Sequence, residues 1–137
     1  MSIRTNGDSS DAPATGTLAR YRVGITVDGG GSTVTTGQKG YLSIPVTGTI
    51  VKVRLLADQS GSVVFDVWKD LVANYPPTVA DTITAAAKPT LSGADNSEDT
   101  TLTGWTTAVV AGDVLGFNVD SVATVTRVTL ELEITVP

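Results

Sequence analysis

The feature that most constrains the fold is a strict alternation of apolar and polar residues along short segments. Residues 127–136 alternate without interruption, and their apolar members are Val128, Leu130, Leu132, Ile134 and Val136. Residues 21–28 alternate in the same way, with Tyr21, Val23, Ile25 and Val27 on one face. Because successive side chains of a strand point to opposite faces, each segment predicts a β-strand with one buried face.

Shorter alternating or apolar runs predict further strands at residues 42–46, 50–57, 62–70, 101–105 and 114–120. The sequence Asp58-Gln-Ser-Gly61 is typical of a turn, so the runs on either side are predicted to form a hairpin. Residues 71–99 lack a regular pattern. We interpret them as a long crossover connection with one short strand and an acidic loop at 93–99.

Composition agrees with this pattern, since 22 Thr and 19 Val make up about 30% of the chain, and β-branched residues pack well on pleated sheets. We predict an all-β fold, a two-sheet antiparallel jelly-roll-like sandwich of about eight strands. An immunoglobulin-like sandwich is the alternative. The absence of cysteine and the long irregular connection disfavour it.

The chain of 137 residues fits one domain. Residues 1–20 are rich in Ser, Thr, Gly, Asp and Ala, which predicts a flexible N-terminal arm, and the compact domain is expected at residues 21–137. The arm is expected to order only against a neighbour or a larger particle. Its candidate anchoring residues are Ile3, Arg4, Leu18 and Arg20.

Composition also removes whole classes of chemistry. The chain has no His and no Cys, which excludes disulfides, thiolate or imidazole metal sites, Ser-His-Asp triads and Cys nucleophiles. Asp66 and Asp70 are four residues apart on a predicted strand, more than about 12 Å along its rise, which does not suit a glycosidase pair. A solvated surface role is favoured for both. We predict no catalytic residue, no metal and no cofactor.

The acidic residues 95–99 have two interpretations. Several oxygen ligands close in sequence could hold calcium, but the spacing of an EF-hand loop is missing. A solvated acidic turn is therefore favoured over a metal site.

The charge and hydropathy of the chain limit its partners. A net charge of −5 disfavours binding to nucleic acid or to anionic lipid. No apolar run approaches the roughly 20 residues of a membrane span, and no signal peptide is recognised. We expect a protein that is made in the cytoplasm and stays soluble.

Four aromatic residues are candidates for a ligand or an interface: Tyr41, Trp68, Tyr75 and Trp105. Aromatic rings serve both apolar packing and stacking on sugar rings. Packing in the core or at a subunit interface is the favoured interpretation, and stacking of a glycan is the alternative.

An ordered series of short motifs resembles a module of tailed-bacteriophage virion proteins. The series covers essentially Val23 to the C-terminus and consists of Asp28–Ser32, Thr36-Gly37, Lys39-Gly40, Leu56–Ser62, Asp66–Lys69, Pro76–Asp81, Lys88–Ser92, Leu102–Trp105 and Gly112-Asp113. The resemblance implies a small β-sandwich domain of tail fibres, receptor-binding proteins or capsid surface proteins. It implies no catalytic residues.

Two functions follow from the resemblance. The starting Met and short arm favour a capsid decoration, cement or head-spike protein, located in the virion, that associates with itself as a homotrimer and with the major capsid protein or another virion protein. The alternative is a tail-fibre-type receptor-binding module that contacts host surface glycan. A polysaccharide hydrolase is the weakest hypothesis, because the chain is short and no carboxylate pair is suitably spaced.

Overall fold

The computed structural model describes residues 18–137, in which the chain forms seven β-strands and two short 3-10 helices. The strands are β1 (Ala19–Asp28), β2 (Gly37–Ser43), β3 (Gly48–Asp70), β4 (Thr90–Asp99), β5 (Ala108–Val109), β6 (Val114–Ala123) and β7 (Arg127–Val136). The 3-10 helices are Val72–Asn74 and Val79–Asp81. Among these residues no helix has the length and apolar character that crossing a membrane requires.

All seven strands belong to one antiparallel sheet, in which β3 pairs with four other strands. This strand is 23 residues long. Its first part, residues 48–57, pairs with β7, and its second part, residues 62–70, pairs with β6. β4 pairs with both parts, and β5 pairs with the beginning of β3. The path through the sheet is therefore β1-β7-β3-β6-β2.

The sheet is curled, and its two ends can be described separately. The β1–β7 half consists of β1, β7 and residues 48–57 of β3. The β2–β6 half consists of β2, β6 and residues 62–70 of β3. Because β3 runs through both, neither half is a separate unit.

The bend between the halves lies where the pairing of β3 with β4 is irregular, between Leu56 and Gly61. A side chain at Gly61 would place its Cβ only 2.6 Å from the carbonyl oxygen of Ala123, so glycine allows the two backbones to approach. Asp58 connects the bend to the beginning of β7. Its carboxylate accepts hydrogen bonds from the Thr126 hydroxyl and from the amides of Thr126 and Arg127. These bonds hold the pKa of Asp58 below its ordinary value, with the Thr126 hydroxyl contributing most.

The core lies on the inward face of the curled sheet and contains side chains of both halves. Its largest fully buried residues include Phe65, Phe117, Leu55, Leu115, Leu130, Leu132 and Ile134. The predicted strand 127–136 is confirmed as β7, and its inward residues Val128, Leu130, Leu132 and Ile134 are each 0% exposed. The all-β class is thereby confirmed.

The predicted hairpin at residues 50–70 is wrong. Residues 58–61 bend the chain but do not reverse it, and the two runs form the single strand β3. The turn-like residues provide a corner where β3 changes partner from β7 to β6. The two runs therefore do not pair with each other. The first pairs with β7 and the second with β6.

Other predicted boundaries also differ from the structure. Residues 101–105 form a turn, and residues 93–99, predicted as a loop, belong to β4. The second strand is residues 37–43 instead of 42–46. β1 begins at Ala19, within the segment predicted as the arm.

Candidate functional site

The candidate site lies on the outward face of the β2–β6 half, above a glycine. Tyr41, Gly116 and Trp68 are opposed in register across β2, β6 and β3. Opposed residues of antiparallel strands point to the same face, so Gly116 separates two aromatic side chains. A Cβ at Gly116 would lie 3.2 Å from Cε1 of Tyr41 and 3.3 Å from Cγ of Pro77. The tyrosine ring and the proline therefore occupy the space above Gly116.

Tyr75 joins Tyr41 on this face from the connection that follows β3. The two ring centroids are 5.0 Å apart and the ring planes meet at 67°, an edge-to-face contact. Such contacts are favourable because the positive edge of one ring meets the negative face of the other. Both rings are nevertheless open to solvent, with Tyr41 39% and Tyr75 53% exposed.

Two exposed aliphatic residues lie in the turn that leads to Tyr75. Leu71 and Val72 are both exposed, and the amide of Tyr75 donates to the Val72 carbonyl, which keeps these residues in one turn. We call Tyr41, Leu71, Val72 and Tyr75 the tyrosine patch.

Polar contacts of Asp70 explain why the chain turns at this point. Its Oδ1 accepts from the amide of Leu71 at 2.7 Å and from Nδ2 of Asn74 at 3.0 Å. The Asn74 amide, followed by the Leu71 amide, lowers the pKa of Asp70. A charged Asp70 thus closes the 3-10 turn that presents Tyr75.

A buried carboxylate lies next to the patch on the same face. Asp66 is only 1% exposed, because the connection after β3 covers it. Its Oδ1 accepts from the hydroxyls of Thr82 at 2.6 Å and Thr84 at 2.8 Å, and its Oδ2 accepts from the indole nitrogen of Trp68 at 3.0 Å. The Lys88 ammonium is 3.9 Å from Oδ2. The prediction that Asp66 is a solvated surface residue is wrong.

Lys88 connects this cluster to β6. Its Nζ lies 2.6 Å from Oδ2 of Asp120, and that hydrogen bond is the main reason why the pKa of Lys88 is raised. Asn118 donates to the other oxygen of Asp120 at 2.7 Å. Since hydroxyl, indole, amide and ammonium donors satisfy these carboxylates, the cluster attaches the connection between β3 and β4 to the outward face of the sheet. The prediction that this connection is a crossover is wrong, because β3 and β4 pair directly with each other. No sequence pattern predicts this cluster, because the residues that cover Asp66 have no regular alternation.

The four aromatic candidates have different surroundings. Tyr41 and Tyr75 contact each other in the patch. Trp68 is half-buried beside them and donates to Asp66. Trp105 is 8% exposed, packs in the core and donates its indole hydrogen to the Ala87 carbonyl at 2.8 Å. The structure therefore brings two of the four together as an exposed pair.

The anchoring candidates are described only in part, because Ile3 and Arg4 lie outside the described residues. Leu18 is 45% exposed immediately before β1. Arg20 lies on β1, where its guanidinium forms an ion pair with Glu133 of β7.

The outward face of the β1–β7 half carries ion pairs between neighbouring strands. Arg22, Glu133 and Lys52 are opposed across β1, β7 and β3. Burial works against the charge on Glu133, but hydrogen bonds from Arg20 and Arg22 outweigh it and hold its pKa below the ordinary value. Alternating charges thus stabilise the outward face of the β1–β7 half, whereas the outward face of the β2–β6 half carries the tyrosine patch beside the Asp66–Lys88 cluster.

Within residues 18–137 no group of three or more acidic side chains is placed to hold a metal ion. The acidic residues 95–99 lie along β4 instead of around a loop. Glu98 forms an ion pair with Arg54 at 2.6 Å, and that contact lowers the pKa of Glu98.

Comparison with known proteins adds no relative. No family model matches the sequence, and no curated protein matches it. The resemblance to phage virion proteins therefore stays a prediction, and the function has to be argued from the surface.

Proposed function

We propose that the protein is a non-catalytic structural protein of a tailed-phage particle, of the capsid decoration, cement or head-spike type. It is made in the cytoplasm of the host and carried in the virion. Its fold is proposed to be the two-layered jelly-roll-like sandwich of that family, in which the bent strand β3 contributes to both layers. The partner is the major capsid protein or another virion protein.

The observation that carries the proposal is the tyrosine patch. Leu71, Val72 and Tyr75 are each more than half exposed. Exposed apolar residues concentrated in one turn are typical of a contact site, and tyrosine is enriched where such contacts contribute most of the binding free energy. The closed turn at Asp70 holds the patch in one conformation, which reduces the entropy lost on binding.

Binding to capsids of the phage that encodes the chain tests this role. We expect Tyr75→Ala to weaken binding by about tenfold or more, as loss of a central aromatic contact does. Val110→Ala is the matched control, because Val110 is 56% exposed but lies outside the patch, in the turn between β5 and β6. Equal binding by both variants and the unmodified protein would remove the patch from the interface.

The proposed anchoring by Ile3, Arg4, Leu18 and Arg20 needs a separate variant. A chain lacking residues 2–17 keeps all seven described strands and removes Ile3 and Arg4, so its loss of capsid binding would be attributable to the removed residues. Full binding would assign attachment to residues 18–137, in which Leu18 and Arg20 remain. The homotrimer implied by the resemblance stays a prediction.

The alternative function is a tail-fibre-type receptor-binding module that contacts host surface glycan. The exposed Tyr41–Tyr75 pair favours it, since sugar rings stack on aromatic faces. A reconstruction of the particle by electron cryomicroscopy distinguishes the two functions. Many copies on the head support decoration, and a few copies at the tail tip support receptor binding.

A further inference from the structure

The strand β1 leaves an open edge that differs from the other edges of the sheet. It pairs with β7 through ten consecutive residue pairs without a register shift. In the described residues no strand pairs with its other side. A long, regular strand edge with unpaired amides and carbonyls is a template for another strand.

The other edges carry features that oppose pairing. β2 has a register shift between Gln38 and Gly40, and Pro45 follows it. The pairing of β4 with β3 shifts twice, and β5 has only two residues. Bulges, prolines and short length protect sheet edges from association. Only β1 combines length with regular geometry among the described edges.

The inward side chains of β1 are incompletely covered. Val27 is 8% exposed, Val23 and Ile25 are half-buried, and Tyr21 is 43% exposed. Their partners on β7 are fully buried, and three of those partners' four neighbours on β3 are buried as well: Ile50, Val53 and Leu55. Apolar surface therefore remains accessible along the open edge, where an added strand would cover it.

We propose that two copies of the chain pair antiparallel through β1, with Gly24 opposite Gly24 of the second copy. This register places Arg20 opposite Asp28 of the second copy on the outward face. On the inward face it places Tyr21 opposite Val27 and Val23 opposite Ile25. A two-fold axis repeats each contact, so the strand is complementary to itself in charge and in apolar character.

Neighbouring registers are less favourable. A shift of two residues in one direction places Arg20 opposite Thr26 and loses the opposite charges. A shift in the other direction pairs Arg22 with Asp28 but leaves Tyr21 opposite Gly29, beyond the end of β1. Of the three registers, the one centred on Gly24 has the longest overlap of the two strands and also places opposite charges opposite each other.

Charge-reversal variants test the pairing by sedimentation equilibrium. We expect the unmodified protein to dimerise at micromolar concentration, with twice the 14.1 kDa mass of one chain. Arg20→Asp should weaken the dimer by at least about tenfold, because two opposite-charge pairs become like-charge pairs. Arg22→Asp is the matched control, since both arginines bind Glu133 and are similarly exposed, but Arg22 faces the uncharged Thr26 in the proposed dimer.

A mixture of variants separates this contact from damage to the fold. Asp28→Arg alone should weaken the dimer to a similar extent, whereas an equimolar mixture with Arg20→Asp should form a heterodimer, because each pair then joins opposite charges. The chain has no cysteine, so Arg22→Cys mixed with Thr26→Cys provides a second readout. These positions are opposed in the proposed register and should form an intermolecular disulfide.

Several results would overturn the proposal. The first is a monomer, or the homotrimer that the resemblance to virion proteins implies, for the unmodified chain. The second is equal weakening by Arg20→Asp and Arg22→Asp. The third is a mixture of the two charge-reversal variants that stays monomeric although circular dichroism shows that both are folded. Absence of the disulfide in a confirmed dimer would overturn the register. The inference is independent of a role in a phage particle, since it concerns the purified chain alone.

Discussion

Truncation of Leu130 to alanine is the most direct test of the core. Leu130 is fully buried at the centre of β7, opposite Ile25 of β1 and Leu55 of β3. Leu130→Ala removes three carbon atoms, which at about 0.8 kcal/mol each gives about 2.4 kcal/mol of lost transfer free energy. The cavity left between three strands raises the expected loss of unfolding free energy to about 3–5 kcal/mol.

Thermal unfolding followed by circular dichroism measures this loss. An unfolding entropy of about 2.1 cal/mol/K per residue over roughly 120 residues converts 3–5 kcal/mol into a melting temperature lower by about 12–20 °C. Thr129→Ala is the matched control, because Thr129 is the outward-facing neighbour of Leu130 and its hydroxyl forms a hydrogen bond with that of Thr26 at 2.7 Å. It should change stability by less than about 1 kcal/mol. A large effect at Thr129 with none at Leu130 would show that the two faces of β7 are exchanged.

Three further substitutions probe the site and the bend. Gly116→Ala should displace the Tyr41 ring, 3.2 Å from the added Cβ, and change the near-ultraviolet circular dichroism of the tyrosines without unfolding the sheet. Asp66→Ala should lower the unfolding free energy by roughly 1–3 kcal/mol, because it leaves the buried Thr84 hydroxyl without its acceptor, as denaturant titration would show. The lowered pKa of Asp58 stabilises the fold above the pKa of the unfolded carboxyl, and this stabilisation disappears as pH falls through the folded value. Asp58→Asn should therefore reduce the acid dependence of the melting temperature, and an unchanged slope between pH 5 and pH 2, roughly the interval over which such a group titrates, would contradict that role.

Strands with one buried face could be predicted from the sequence, because burial of one face makes apolar and polar residues alternate along the strand. β7 and most of β1 were predicted for this reason. The corner in β3 could not be predicted, since Asp58-Gln-Ser-Gly61 has the composition of a turn whether the chain reverses or only bends. What decides between these outcomes is the partner strand β6, more than 40 residues away in sequence.

The candidate site was predictable only as a set of residue types. Tyr41 and Tyr75 could be singled out as aromatic, but their contact depends on the absence of a side chain at Gly116 and on the turn closed by Asp70. The burial of Asp66 could not be predicted for a related reason. An outward-facing residue of a strand is exposed to water when nothing covers that face of the sheet. Asp66 is buried because the irregular connection after β3 lies over it.

The pairing of β1 with β7 has a consequence for how the chain is synthesised. About 100 residues separate Asp28 from its partner Arg127, and at 5–20 residues per second a ribosome needs roughly 5–20 s to bridge that interval. During this time β1 has been made but its only described partner has not. The nascent protein therefore carries an unsatisfied apolar strand through most of its translation, and binding of a chaperone to residues 19–28 would be most useful in that interval.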